Sequence, residues 1–166
     1  TVHSALLARR LGAFEYVTKP FTRQELRSVV VRALRSPRGA GDASAPDQAS
    51  APALYIPDHA WARLEPDGSA LVGVARGYAA AVGEIAAIRF PAVGDMLEQG
   101  RVCALIRATD GVEHSVYCPL SGRVVEVNRA VVDDPRLVSS SPEAEGWLFR
   151  LKPLRAEEEA DNLVRG

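Results

Sequence analysis

The stretch that decides the fold is residues 101–122, RVCALIRATDGVEHSVYCPLSG. Two runs of mixed apolar and polar residues, VCALIRA and VEHSVYC, flank an Asp-Gly pair, which is the pattern of an antiparallel hairpin. Asp-Gly is the preferred pair for a two-residue type I′ turn, because both central residues need a positive φ. This turn predicts three facing pairs, which are Thr109 with Val112, Arg107 with His114, and Cys103 with Cys118.

Further strand signals surround this hairpin over residues 54–166. The runs ALVGVA, EIAAIRF, RVVEVN and WLFRLK are separated by the turn signals PDGS, PAVGD, EQG and PLSG. Short strands with turn signals at short intervals are typical of a sandwich or barrel. Two segments are helical in pattern, YAAAVG in the middle and RAEEEADNLVRG at the end. We therefore expect a mainly β domain with a short middle helix and a C-terminal helix.

A linker separates this domain from an N-terminal piece. Residues 36–53 contain no aromatic residue and no aliphatic residue larger than alanine, so they cannot bury enough apolar area to become ordered. Residues 1–35 read as helix, strand and helix. Thr22 and Glu25 form a capping box before the second helix, whose apolar positions are Leu26, Val29, Val30 and Leu34. We expect this piece to be loosely docked on the β domain or independent of it.

Composition excludes several classes of function. The 20 basic and 21 acidic residues give a net charge of −1 and a pI near 6.3, without the basic stripe of a nucleic-acid or anionic-membrane binder. There is neither an apolar run long enough to span a bilayer nor a secretory signal, which predicts a cytoplasmic protein. The spacing of Cys and His residues suits no zinc site. We expect no metal, no membrane partner and no nucleic acid.

The N-terminal piece resembles the end of a two-component receiver domain. That family ends in G-A-x-x-Y-x-x-K-P-F and a helix, and here Gly12, Ala13, Tyr16, Lys19 and 20–21 match. The resemblance implies that residues 1–35 are the C-terminal fragment of a doubly wound receiver. It also implies that Lys19 contacts the phosphoryl group in an intact receiver, with a histidine kinase as partner of a full-length parent only. The phospho-accepting aspartate would lie upstream of this chain.

The β domain resembles the H protein of the glycine cleavage system, a lipoyl carrier that shuttles an aminomethyl group between the other components. The family's H-x-W matches 59–61, VGEIAAIRFPAVGD matches over 82–95, and the family pattern continues without a gap over 119–153. The resemblance implies a flattened hybrid β-barrel or sandwich from which the 101–118 hairpin projects.

The hairpin tip departs from that family. The H proteins carry E-S-V-K-A there, and the lysine amine is linked to lipoate. Counting from either flank puts this lysine at Asp110 or at Gly111, and the chain's only lysines are Lys19 and Lys152. An aspartate has no nucleophilic amine, and arginine is permanently charged. We therefore expect a lost lipoyl site at Asp110 and Gly111, and no cofactor.

Other residues have simpler interpretations. A cross-strand disulfide between Cys103 and Cys118 is one hypothesis, and two reduced thiols in the core is the other. His59 is expected in a turn or at the edge of the core, and Trp61 and Trp147 in packing. Arg107 and His114 are expected to form a solvated pair. The candidates for partner binding are Arg107, Asp110 and His114.

The leading hypothesis from the sequence is a non-lipoylated, H-protein-like binding or output module of a response-regulator-type signalling protein. It binds a protein partner and has no enzyme activity, since no nucleophile and base pair or phosphate-binding glycine loop is present. The alternative is a lipoyl-carrier H component of the glycine cleavage system, which the missing lysine argues against. A third hypothesis is a gene fragment without a selected function.

Overall fold

The computed structural model describes residues 13, 17, 19, 21–35, 53–57 and 59–165. Its first element is helix α1, Arg23–Arg35. The predicted capping box is present, because the Thr22 amide donates to Glu25 Oε2 at 2.6 Å and the Glu25 amide donates to Thr22 Oγ1 at 3.1 Å. These bonds satisfy amide groups that would otherwise lack partners at the start of the helix. The predicted first helix and short strand fall largely outside the described residues.

A large antiparallel sheet forms most of the β domain. Its seven strands are β1 Ala53–Ile56, β2 Ala60–Leu64, β3 Ala70–Val74, β5 Met96–Leu97, β8 Gly122–Val127, β9 Phe149–Pro153 and β10 Val164–Arg165. They lie side by side in the order β10-β1-β2-β3-β9-β8-β5.

A smaller sheet holds the hairpin of residues 101–118. Its three strands are β4 Ile85–Arg89, β6 Val102–Ala108 and β7 Glu113–Tyr117. They have the order β4-β6-β7. Helix α2, Arg76–Val82, precedes this sheet and buries Tyr78, Ala79, Ala81 and Val82. Both the smaller sheet and α2 lie next to α1, because α1 packs against β7 and against α2.

The core lies between these sheets and helices. Small and branched apolar residues dominate it, and its largest fully buried side chains include Trp61, Tyr78 and Phe149. Asn128 caps the short helix α3, Arg129–Asp133, and its amide group also donates to the Glu145 and Trp147 carbonyls at 2.8 and 2.7 Å. The remaining helices are α4, Leu137–Ser140, and α5, Ala156–Ala160.

A buried carboxylate fixes the C-terminal helix. The Ser121 amide and hydroxyl each donate to Glu159 at 2.6 Å, and Glu159 is only 8% exposed. The sequence EEE at 157–159 does not by itself indicate this role of Glu159. The reason is that its partner lies far away in the chain, in the turn before β8.

The mainly β architecture predicted from the sequence is confirmed, together with the short middle helix and the strand segments. The C-terminal helix is shorter than expected and is followed by β10, which pairs with β1. Residues 36–52 of the predicted linker lie outside the described residues, and its last residue, Ala53, begins β1. Within the described ranges, every helix is too short or too polar to cross a lipid bilayer.

Helix α1 differs from the sequence-based expectation in two ways. It is seated on the β domain, with Ser28 and Arg32 each 2% exposed. Three of its four predicted apolar positions face outward, because Leu26, Val30 and Leu34 are 47, 50 and 81% exposed, whereas Val29 is half-buried. The capping box and the periodicity predicted a helix correctly, but they did not show which face would be covered.

Candidate functional site: the hairpin tip and the helix that covers it

The tip of the β6–β7 hairpin is a three-residue loop, and the predicted two-residue turn is wrong. The Gly111 amide donates to the Ala108 carbonyl at 3.0 Å, and the Ala108 amide donates to the Val112 carbonyl at 2.9 Å. Thr109, Asp110 and Gly111 therefore form the loop, with Gly111 at a positive φ of 80°. A turn followed by glycine in this conformation is the common three-residue hairpin connection.

This loop shifts the strand register by one residue. Arg107 pairs with Glu113 and Ile106 pairs with His114. A shift of one residue exchanges the two faces of a strand. The predicted solvated pair of Arg107 and His114 is therefore wrong: Arg107 is exposed, whereas His114 is fully buried.

Asp110 is held by contacts on two sides. Its Oδ1 accepts from the Val112 amide at 2.9 Å, and its Oδ2 lies 2.7 Å from Nη2 of Arg35 in α1. The Val112 amide, and then Arg35, lower the pKa of Asp110 below its ordinary value, so the side chain is a carboxylate at neutral pH. The same Arg35 donates through Nη1 to the Val82 carbonyl at 2.9 Å, at the end of α2.

His114 accepts a hydrogen bond from the second arginine of α1. Arg32 Nη1 lies 3.1 Å from His114 Nδ1, and the guanidinium lies 4.9 Å from the centre of the Tyr78 ring. Because arginine only donates, Nδ1 must be unprotonated. Burial, and then the charge of Arg32, lower the pKa of His114 to about 4. The imidazole is therefore neutral at neutral pH.

A third contact lies at the other end of α1. Gln24 Nε2 donates to Glu113 Oε2 at 3.1 Å. Side-chain donors on α1 thus meet acceptors on the β domain at three places along the helix. We call these acceptors the docking surface, which consists of the Tyr78 ring, the Val82 carbonyl and the side chains of Asp110, Glu113 and His114.

The two cysteines are buried free thiols, as the reduced alternative predicted. Cys103 lies at a β-bulge, between the pairs Val102–Tyr117 and Ala104–Val116, so it does not directly face Cys118 in the ladder. Its thiol donates to the Val116 carbonyl at 3.3 Å. Burial, and then the neighbouring Cys118 thiol, raise the pKa of Cys103 well above its ordinary value, which makes it a poor nucleophile.

The predicted core-edge histidine and tryptophan have structural roles. His59 is fully buried, accepts from the Tyr117 amide at 2.9 Å and lies edge-on to the Tyr78 ring at 4.6 Å between centroids. Trp61 is 1% exposed and donates to the Pro142 carbonyl at 3.1 Å. Across the described ranges, no group of three or more His, Cys, Asp or Glu side chains is arranged to hold a metal ion.

The structure brings together Asp110 and His114 among the predicted partner-binding residues, and leaves Arg107 outside the set. Sequence reasoning missed Arg32, Arg35 and Tyr78. The signal in the sequence was the position of both arginines on the polar side of α1. Lys19 and Lys152 are exposed and stand apart from these contacts.

The fold and the hairpin indicate the class of protein, and comparison with known proteins agrees. The model of the family described as glycine cleavage H-protein matches residues 53–166. A glycine cleavage system H protein from Psychrobacter sp. (strain PRwf-1) is 36% identical over 104 residues, which are 63% of this chain and 82% of the relative. The corresponding protein from Streptomyces avermitilis is 39% identical over 109 residues, which are 66% and 85%.

A solved structure shows the same fold. The crystal structure of a glycine cleavage system H protein from Mycobacterium marinum is 32% identical, with a TM-score of 0.57, and the match covers 66% of this chain and 94% of that one. The chain belongs to the glycine cleavage H-protein family. Members of this family are lipoyl carriers rather than enzymes, which confirms the expectation of no enzyme activity.

The prediction of a response-regulator output module is wrong. The relatives at 36–39% identity are named glycine cleavage system H proteins, and the matching family model has the same description. These comparisons give no support to the two-component interpretation or to a histidine kinase partner. That interpretation rested on a short motif in residues 12–21, which lie mostly outside the described part of the chain.

Proposed function

We propose that this chain is an H-protein-type component of the glycine cleavage system and that its β domain binds other proteins of that system. The observation that carries the proposal is the H-protein fold and sequence match over residues 53–166. Proteins of the same fold and family at this identity are named for that system. Membership of a carrier family implies a function through contact with partner proteins, because a carrier is useful only when it reaches their sites.

We also propose that the hairpin tip is not a lipoyl attachment site. The tip residues do not fit a lipoyl group, because Asp110 presents a carboxylate held by Arg35 and Gly111 has no side chain. Amide formation with lipoate requires an amine that can be deprotonated, as lysine provides. No transfer step is therefore assigned to the tip of this chain.

Binding to the system is tested with purified proteins. Each of the other proteins of a glycine cleavage system is titrated with this chain, and the H protein from Mycobacterium marinum serves as the positive control. We expect saturable binding of this chain to at least one protein that also binds the control. If the control binds and this chain binds none of them at a tenfold higher concentration, the proposed function is wrong.

The tip is tested by lipoylation. The chain is incubated with lipoate ligase, ATP and lipoate and then measured by mass spectrometry. We expect no adduct on the wild-type chain. The control is Asp110→Lys, which restores an amine at the tip without placing a side chain at the positive φ of Gly111. An adduct on wild-type Lys19 or Lys152 would show that the chain is a lipoyl carrier through another site.

A further inference from the structure

The docking surface has the chemistry of a receptor for a basic helix. Its groups are an aromatic face, a neutral imidazole nitrogen, a carbonyl at the C-terminal end of α2 and two carboxylates. A helix C-terminus favours positive charge, and an aromatic face attracts a guanidinium. All of these groups therefore favour arginine.

Helix α1 supplies the matching donors at helical spacing. Arg32 and Arg35 are three residues apart, so they lie on the same side of the helix, and Gln24 lies two turns earlier on that side. Arg35 bridges two acceptors, Asp110 and the Val82 carbonyl, with its two terminal nitrogens. A planar guanidinium can make these two bonds at once, whereas a lysine ammonium has no such fork.

The buried Arg32 makes the contact selective. Removing a guanidinium from water is costly unless hydrogen bonds and favourable electrostatics replace the lost hydration. The His114 nitrogen and the Tyr78 ring supply that replacement for a side chain that is 2% exposed. A helix with an apolar or acidic side chain at this position would leave the His114 nitrogen without its donor.

The contact between α1 and the docking surface has the features of a reversible one. Three large apolar side chains of α1 lie outside the interface, since Leu26, Val30 and Leu34 are 47–81% exposed. Apolar burial is the largest stabilising term in most permanent contacts, and α1 contributes little of it to this one. Residues 36–52 join α1 to the β domain, and their composition is that of a flexible linker. A contact held mainly by polar groups favours exchange of α1 for another helix that offers the same donors.

We propose that the docking surface is a binding site for a helix with two arginines three residues apart, and that α1 occupies this site in cis. A partner protein that presents such a helix competes with α1 for Asp110, His114 and the end of α2. The chain is thus closed by its own helix until the competing helix displaces it. This proposal concerns a surface that the proposed function leaves unassigned, and it does not depend on which protein is the partner.

The test uses a fluorescent peptide of residues 21–36 and the full chain. In the wild type, the tethered α1 has an effective concentration of about 1 mM, so it lowers the apparent affinity of a peptide with a Kd of about 100 µM by roughly tenfold. We expect the double variant Arg32→Ala, Arg35→Ala to bind the peptide about tenfold more tightly than the wild type does. The matched control is Arg23→Ala, Arg27→Ala, which removes the same charge from exposed positions of α1.

A second pair of variants tests the receptor side. In the Arg32→Ala, Arg35→Ala chain, Asp110→Asn should weaken peptide binding about threefold to tenfold, because it removes the charge that Arg35 of the peptide contacts. Asp134→Asn is the control, since that carboxylate pairs with Arg136 in its own loop. It should leave binding unchanged.

Three results would overturn the proposal. They are equal peptide binding to the wild type and the double variant, opening of the chain by Arg23→Ala, Arg27→Ala, and no binding to the double variant at millimolar peptide. The assay contains no glycine cleavage protein. Its failure therefore leaves the proposed function standing, and failure of the proposed function leaves the peptide result standing.

Discussion

The β domain and the α1 contact are held together by opposite kinds of interaction. In the β domain the buried side chains are mostly apolar, and Phe149, Leu151 and Val72 are fully inaccessible to water. At the α1 contact the buried side chains are Ser28, Arg32, His114 and Tyr78, while Leu26, Val30 and Leu34 point outward. Apolar burial is non-directional and strong, whereas a polar contact depends on every partner being present. The difference predicts that the β domain and the α1 contact can be stabilised and lost separately.

The largest loss of stability is expected from a substitution in the apolar core of the β domain. Phe149→Ala removes a fully buried ring from the main sheet and should lower the free energy of unfolding by about 3–5 kcal/mol. Urea unfolding followed by the fluorescence of the two tryptophans measures it. The matched control is Phe21→Ala, because Phe21 is 46% exposed. A similar loss in both variants would contradict the assignment of the core.

A fall in pH should weaken the polar α1 contact and lower the free energy of unfolding by less than Phe149→Ala does. The folded-state pKa of His114 is about 4, below its ordinary value of 6.5, so its stabilising contribution is present above pH 6.5 and is lost as the pH falls toward 4. The charges that face it are Arg32 and Arg35 of α1 and Asp110 of the tip. Between pH 7 and pH 5 the loss is about 2 kcal/mol.

This pH dependence is isolated with His114→Gln, whose amide accepts a hydrogen bond but does not titrate in this range. Unfolding is measured at both pH values for the two chains. The wild type should lose about 2 kcal/mol more than the variant. Equal losses would mean that His114 is not buried as a neutral acceptor.

A substitution at the start of α1 should affect α1 without affecting the β domain. Thr22→Ala removes the capping hydroxyl and should reduce the stability of α1 by about 1 kcal/mol, without changing the unfolding of the β domain. Hydrogen exchange of the α1 amides measures the local effect. Thr22→Ser keeps a hydroxyl and should retain most of the protection. If Thr22→Ala destabilised both regions equally, they would not be separate units.

The smallest effect is expected on the outward face of α1. Leu34→Ala should change stability by less than about 0.5 kcal/mol, because Leu34 is 81% exposed and alanine is a good helix former. Hydrogen exchange and peptide competition should both remain as in the wild type. A loss of 2–5 kcal/mol, as for a buried leucine, would place this face against the protein and reverse the orientation of α1.

Most of the strands could be predicted because a strand is recognised from neighbouring residues in the sequence. The run VCALIRA and the turn signal after it identify a strand wherever they occur, and the structure has β6 and β7 there. The register of that hairpin was not predictable in the same way. Asp-Gly suits both a two-residue turn and a three-residue loop, and the bond from the Thr109 amide to the Glu84 carbonyl at 2.9 Å belongs to a contact outside the hairpin. That single residue of register decides whether His114 is exposed or buried.

By itself, the sequence determined the β-rich domain, its family resemblance, the capping box of α1 and the absence of lysine at the hairpin tip, since each depends on neighbouring residues or on identity. Only the tertiary structure decided that the polar face of α1 meets the domain and that Arg32 reaches His114 across 82 positions of the chain. The physical reason is that a helical pattern shows two faces but not their surroundings. Which face is covered depends on the acceptors that a distant hairpin and helix bring together.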